Sequence, residues 1–275
     1  MRLYDAARIA DTVTASDAYT GETFLCQFEP MSFSKIDGVS ILKRQASIAP
    51  TVAIPTRGCI TIEGQTYLVG HGAPDYWNGS VIRVTLILQG ATGLAELNSI
   101  AAELAGTDPT EVYAALAFSK YQPDSDDSSR YQPQYQIFLA GSESAPADSL
   151  IKLGGVWYLV KESYISTSGL RVSLVNLIAT PDFETITFSS QTYDPLTDDY
   201  TASTSSVKIL RVKWSEHYKY LSIGSTQYER GDQQLFLLKA TTPKPSDTLT
   251  LSDGIWKVLS VQDEGLLWTC HARRA

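Results

Sequence analysis

After Cys59 the chain alternates: Ile60 and Ile62 face one way, Thr61 the other, and beyond Glu63-Gly64 the run Thr66-Tyr67-Leu68-Val69 comes back. Further on, Ile82, Val84, Leu86 and Leu88 alternate with Arg83 and Thr85. A period of two is the pattern of strands with one apolar and one wet face, so this stretch predicts a hairpin followed by a third strand. The pattern is written three times. EGQTYLVGHG at 63–72 has counterparts in GGVWYLVKES at 154–163 and DGIWKVLSVQ at 253–262. Aligned on Gly64, Gly155 and Gly254, the copies lie 91 and 99 residues apart, with Thr66, Trp157 and Trp256 two positions on. A third strand follows each: VIRVTLIL (81–88), GLRVSLVNL (169–177) and EGLLWTCHA (264–272). The connection before it varies from APDYWNGS to QDEG, as expected of an exposed loop.

Another apolar strand and a polar, proline-bearing link precede the second and third hairpins, in YQIFLAGSESAPAD (135–148) and QLFLLKATTPKPSD (234–247). Pro146, Pro243 and Pro245 should end the pairing there, and QASIAPTVAIPTRG (45–58) does the same in the first copy. Copies more than 90 residues apart are too distant for a solenoid, so each is expected in its own small barrel or sandwich. One segment departs from this pattern. Leu94, Leu97, Ile100 and Leu104 fall at helical spacing with Gly106 as C-cap, and Asp108-Pro109-Thr110-Glu111 resembles a capping box opening a second helix through VYAALAF. The expectation is an all-β protein of several small β-barrel or sandwich modules with a short helical insertion near 94–117. Its divisions are 1–92, a helical connector 93–118, 119–190 and 191–275. PDSDDSSR (123–130) and TYDPLTDDYTASTSS (192–206) read as exposed loops or a domain boundary.

Composition agrees: 43% of residues are hydrophobic and only 19% charged, with 15 Tyr and 5 Trp, a mixture suited to half-buried pleated surfaces. The net charge of −8 supplies no overall field to attract a nucleic-acid backbone. Cys26, Cys59 and Cys270 are odd in number and form no CxxC, which points to reduced, packed thiols. The N-terminus lacks the apolar core of a secretion signal, so the chain is expected to stay in the cytoplasm where it is made. No apolar run approaches the roughly 20 residues that cross a bilayer.

The search for chemistry assigns no catalytic, cofactor-binding or metal residue. His71, His217 and His271 lie in no recognisable motif. GSESA at 141–145 lacks the second glycine of a nucleophile elbow. Asp124-Ser125-Asp126-Asp127-Ser128 begins like a calcium loop, but the sixth position is Ser129 and the twelfth Tyr135. No glycine-rich phosphate cradle is present. Arg230-Gly231-Asp232 reads as a turn before a strand rather than an adhesion ligand, Trp157 and Trp256 as core or inter-sheet anchors, and Tyr76 and Trp77 as an exposed contact surface.

The C-terminal third resembles a known family. Gly231-Asp232, the apolar strand Leu235 to Leu238, then Asp247, Leu249, Leu251, Gly254 and Val258 or Leu259 are similar to the course of head-completion, stopper or neck proteins of tailed bacteriophages. The likeness is best over the last ~80 residues, moderate over 131–177 and looser over 44–90. It implies a small β-barrel, no catalysis, and a ring at the head–tail junction of the virion, assembled in the bacterial host cytoplasm. The implied partners are further copies of the chain, a portal or adaptor protein, and a tail or tail-terminator protein. DNA would be a non-specific passenger in the lumen, and no membrane is involved. A tail-tip or fibre-associated receptor- or carbohydrate-binding protein is the alternative.

Overall fold

A computed structural model describes residues 12–28, 32–36, 39–118, 135–178, 180–194, 196, 198–213, 222–223, 226–227 and 231–275. The first unit contains β1 (Thr12–Asp17), β2 (Thr23–Phe28), β3 (Ser32–Ile36), β4 (Val39–Ile48), β5 (Cys59–Ile62), β6 (Gln65–Trp77) and β7 (Ser80–Gly90). The second contains β8 (Gly93–Ser99), α1 (Ile100–Leu104), β9 (Thr110–Phe118), β10 (Tyr135–Leu139), β11 (Ser149–Leu153), β12 (Val156–Ile165) and β13 (Arg171–Ile178). The third contains β14 (Asp182–Asp194), β15 (Asp199–Lys213), β18 (Gln233–Leu238), β19 (Thr248–Leu251), β20 (Gly254–Glu264) and β21 (Leu267–Arg274), with the two-residue strands β16 (Ser222–Ile223) and β17 (Thr226–Gln227) forming a separate pair.

All three units are closed antiparallel barrels of one topology. With the six wall strands lettered a to f in chain order, the order around each wall is a-d-e-f-c-b, and b returns to a. In the first unit β2 pairs with β4 to close the wall, and β3 is an extra strand on the outer edge of β4. Closure leaves the wall strands no free edge. Each interior holds its own apolar cluster, built around Ile60, Val69 and Leu88, around Ile137, Ile151 and Val175, and around Ile209, Leu237 and Leu249.

Counting outward from each d–e turn gives the structural equivalences. Glu63-Gly64, Gly154-Gly155 and Ser252-Asp253 are the two-residue turns. In the first two, both residues have positive φ, the type I′ geometry that matches strand twist. Three positions on come Tyr67, Tyr158 and Trp256, all buried in the barrel interiors. Two more bring Val69, Val160 and Val258, and in all three barrels the e–f pairing slips immediately afterwards. A bulge at the same place three times is a built feature that bends the wall.

These equivalences correct the glycine alignment. Gly254 is the first residue of its strand, level with Gln65 and Val156, so the third copy is offset by one. One residue changes the face of a strand. Trp256 therefore points into the third barrel, while Trp157 lies outside the second, packed between barrels two and three.

The barrels fall at 12–90, 93–178 and 182–274. The stretch 93–118, expected as a helical connector, supplies strands a and b of the second barrel. The helix expected over 94–106 is confined to Ile100–Leu104, capped by Ser99, whose hydroxyl accepts from the Ala102 N–H. Before it, Ala95 and Leu97 alternate inward as a strand. The second expected helix is β9: Val112 and Ala114 are buried inside while Tyr113 faces out, and two strand partners outweigh the helix preference of its alanines. The boundary expected at 190/191 falls within β14. Residues 192–194 and 199–206 are paired strands rather than a loop, and β6 runs on through most of the expected loop APDYWNGS to a turn at Asn78-Gly79.

Candidate assembly surfaces

Successive barrels are joined by apolar faces. The turn after β1 carries Ala18 and Tyr19, and the d–e hairpin carries Cys59 and Leu68; these pack on Tyr113, Ala115, Phe138, Leu170 and Val172 of the second barrel. Tyr19 and Tyr113 meet edge-on at 5.4 Å, and the Tyr113 N–H donates to the Tyr19 hydroxyl at 3.1 Å. Arg57 lies 3.8 Å over the Tyr19 ring and donates to Glu143 Oε1 and to the Glu111 carbonyl, both at 2.9 Å. Backbones also touch. The His71 N–H donates to the Ser168 carbonyl at 2.6 Å, and a Cβ on Gly70 would sit 2.3 Å from that same oxygen. Burial pushes the Cys59 thiol up to about 12, so it stays a neutral thiol.

The second junction repeats the first. Ile100 and Leu104 of α1, with Leu150, Leu159 and Trp157, pack on Leu210, Phe236 and Leu267 of the third barrel. Lys208 Nζ donates to the Glu103 carbonyl at 3.2 Å beside it. Phe138 and Phe236 occupy equivalent places in strand c, each fully buried, and each contributes about 1.5–3 kcal/mol by leaving water.

Arginine and aromatic side chains pack together at inward positions of the walls. Arg44 lies 4.8 Å over Phe28 and 5.8 Å over Tyr67, and Tyr135 meets Tyr158 edge-on at 5.9 Å. In the third barrel Arg211 takes this role: 3% exposed, it lies 5.1 Å over Trp256, hydrogen-bonds Gln233 and Asp253, and has Glu184 Oε1 at 3.5 Å. The hydrogen bond from Arg211 holds the Asp253 carboxyl below the usual aspartate range. An arginine on an inward position of strand b gave no signal in the sequence, because period two alone marks Arg211 as one more polar residue in a strand. Among the described residues, no group of three or more His, Cys, Asp or Glu side chains is placed to hold a metal.

The sequence candidates are dispersed. His71 lies at the first junction, His271 is buried on β21, and His217 is outside the described residues, as is Asp124 to Ser129. In GSESA, Glu143 pairs with Arg57 and Ala145 is in the second core. Asp232 is buried and held at both oxygens by Arg273, at 2.8 and 2.7 Å, so the Arg-Gly-Asp tripeptide does not present its carboxylate. No helix among the described residues is long and apolar enough to cross a membrane.

Among the described residues three hairpins extend beyond the walls: β3–β4, whose Val39–Leu42 segment pairs with β3 alone, β6–β7 and β14–β15. β6–β7 continues past its last wall partners through Pro74, Asp75 and Tyr76 to the Asn78-Gly79 turn, where Tyr76 is 64% exposed and Ile82 53%. β14–β15 is longer. Its ladder runs from Asp182↔Arg211 to Asp194↔Asp199, but β19 borders β14 only over Thr187–Ser189 and β18 borders β15 only from Ile209. Among the described residues no third strand borders 190–194 or 199–203, which form a two-stranded ribbon reaching roughly 17 Å past the wall. Ala202, Ser203, Thr204, Ser205 and Ser206 are exposed, and Leu196 near the tip is 94% exposed. Over 190–194 and 199–206 there is no Lys, Arg or Pro, the residues that ordinarily blunt a free edge.

No family model, curated protein or solved structure matches this chain.

Proposed function

We propose that the chain is a structural virion protein of a tailed bacteriophage, forming a ring at the head–tail junction that joins a portal or adaptor protein to the tail. The observation that carries this reading is the union of edge-free barrel walls with a long, unguarded ribbon, β14–β15. A closed wall has no backbone groups to offer a neighbour, so strand-to-strand docking between copies runs through the projecting hairpins. A ribbon on one side of a subunit that engages the next makes a heterologous contact, and such contacts close into a ring when their rotation divides the circle. Ionisable groups are spent on mouths and junctions, as Arg211 and Arg57 show, which fits binding rather than catalysis. The charge of −8 per copy, repeated around a ring, disfavours adhesion of DNA sliding through the lumen.

Negative-stain microscopy of the purified chain tests this, with labelled antibody on virions locating it. Rings, with label at one end of the tail, are expected; a chain that stays single at high concentration and labels no virion sinks the reading. Replacing 190–203 by an Asn-Gly turn between Ser189 and Thr204 should leave the barrels folded and abolish rings.

The second reading is a receptor- or carbohydrate-binding tail protein, favoured by the exposed Tyr76 beside Ile82 on the β6–β7 tip. Binding to a defined saccharide on a glycan array, lost in Tyr76→Ala, would choose it.

A further inference from the structure

The two junctions use one rule. Each barrel gives the outer face of its d–e hairpin and receives on the outer face of strands b, c and f. Register makes Cys59, Leu150 and Thr248 equivalent on strand d, and Leu68, Leu159 and Lys257 equivalent on strand e. The first two pairs are fully or almost fully buried in junctions; Thr248 is half-buried and Lys257 exposed. The giving face is apolar in barrels one and two and polar in barrel three.

The receiving face shows the opposite gradient. Ser47, Phe138 and Phe236 are equivalent on strand c, Gln27, Ala115 and Leu210 on strand b. On strand f, Arg83 stands level with Leu170 and Leu267. Barrel one therefore carries serine, glutamine and arginine where the barrels that receive a neighbour carry phenylalanine, a small or branched apolar residue, and leucine. Its polar groups are also engaged locally: Ser47 Oγ lies 3.3 Å from Thr85 Oγ1, Thr85 donates to Asp75 at 3.1 Å, and Arg83 pairs with the same carboxylate. Among the described side chains Leu25 and Val81 remain exposed on the first end face and Ile255 on the last, and such scattered residues are not a docking patch.

We propose that these two polar faces are stops. They end the stack at the three barrels of one chain and prevent copies from joining end to end through the contact that joins barrels within the chain. Docking barrel three of one copy onto barrel one of another would strip water from the Lys257 ammonium and from the half-exposed Arg83–Asp75 pair, with no apolar side chain to replace it. Repeat stacks need such polar terminal faces, since an apolar face at both ends propagates into an open filament. The consequence is that copies meet side by side, through the projecting ribbons.

The stops are tested by converting each end to the internal code in the full chain. One variant carries Thr248→Leu and Lys257→Leu, the other Gln27→Leu and Arg83→Leu. Sedimentation velocity of each alone should match the wild type, and their equimolar mixture should give a species of twice the mass. A mixture that sediments like the separate variants overturns the proposal. A second measurement leaves the stop residues in place: Leu25→Cys together with Ile255→Cys, both exposed on the end faces, in an otherwise wild-type chain whose own thiols are buried. Mild oxidation should give no disulfide ladder, and a ladder of linked chains overturns the proposal. A wild type that forms no rings would sink the assembly reading above and leave this one standing.

Discussion

The Tyr19 hydroxyl accepts a hydrogen bond from the backbone N–H of Tyr113 at 3.1 Å, tying the first barrel to a strand of the second. Tyr19→Phe removes the acceptor and leaves that N–H without it in a half-buried site, an expected loss of about 1–2 kcal/mol. Tyr19→Ala also removes the ring that packs on Tyr113 and carries Arg57, and should cost about 3 kcal/mol or more. Urea unfolding of the two variants, with equal slopes, gives both numbers.

Alkaline pH should unfold the protein by way of its buried thiols. Burial lifts Cys59 and Cys270 from the usual 9.0 to about 12, and desolvation also pushes the Tyr19 phenol upward. The folded state therefore keeps protons that the unfolded chain releases. Stability is intact below pH 9 and falls as pH climbs from there toward 12, by about 1.4 kcal/mol per pH unit for each buried thiol. Chemical denaturation between pH 7 and 11 measures the slope, and Cys59→Ala should flatten it.

The Arg211 plug should behave as a buried cation whose partners depend on it. Arg211→Ala leaves the largely buried Glu184 carboxylate without its cation, and breaking a buried pair in this way costs about 3–5 kcal/mol, while Asp253, its side chain 40% exposed, is eased by water. The triple change Arg211→Met, Glu184→Gln and Asp253→Asn should recover most of it. The pH sign follows from Asp253: its carboxyl is held below the usual range in the fold, so the stability it lends is present above the ordinary aspartate range and is lost as pH falls through the folded value. Acid unfolding of the triple variant should lack that component.

Gly70 and Gly79 separate crowding from backbone strain. A methyl at Gly70 would meet the Ser168 carbonyl at 2.3 Å, and neither backbone can yield without opening the first junction, so Gly70→Ala should cost at least about 2 kcal/mol. Gly79 meets nothing within 4 Å, but its φ of +78° sits in the left-handed region. Gly79→Ala should cost only about 1 kcal/mol. Calorimetry on both variants distinguishes the two mechanisms.

Much of the fold was legible because a barrel wall needs only strict alternation and turn chemistry, and the chain writes both openly. Ile60 with Ile62, and the turn Glu63-Gly64, mark strands and turns without reference to anything distant. The errors share one origin. Leu94 with Leu97 reads as a helical pair and VYAALAF as helix, because those strands carry apolar residues on both faces. The inward set (Ala95, Leu97, Val112, Ala114) lines the barrel, while Tyr113 and Ala115 face out against barrel one. Two-sided burial removes alternation, the only strand signal available. The glycine alignment failed by one residue for a related reason: a turn and the first position of a strand both accept glycine, and only pairing separates them.

The assembly surfaces were legible in part. Tyr76 declared itself as an aromatic in a variable segment, and it is exposed. The ribbon strands at 192–194 and 199–206 hid as a loop, because Ser and Thr favour turns and exposed strands alike and no buried face imposes a period.

The d–e hairpins with their tight turns were determined by the sequence alone, since each depends on residues a few positions apart, and their threefold recurrence is written in the chain itself. Closure of the walls, the outward burial of Phe138 and Phe236, and the charge of Arg211 inside a mouth were decided by the tertiary structure. Those features arise between residues tens of positions apart in sequence, and an outward-facing phenylalanine is an error or an interface according to whether another barrel covers it.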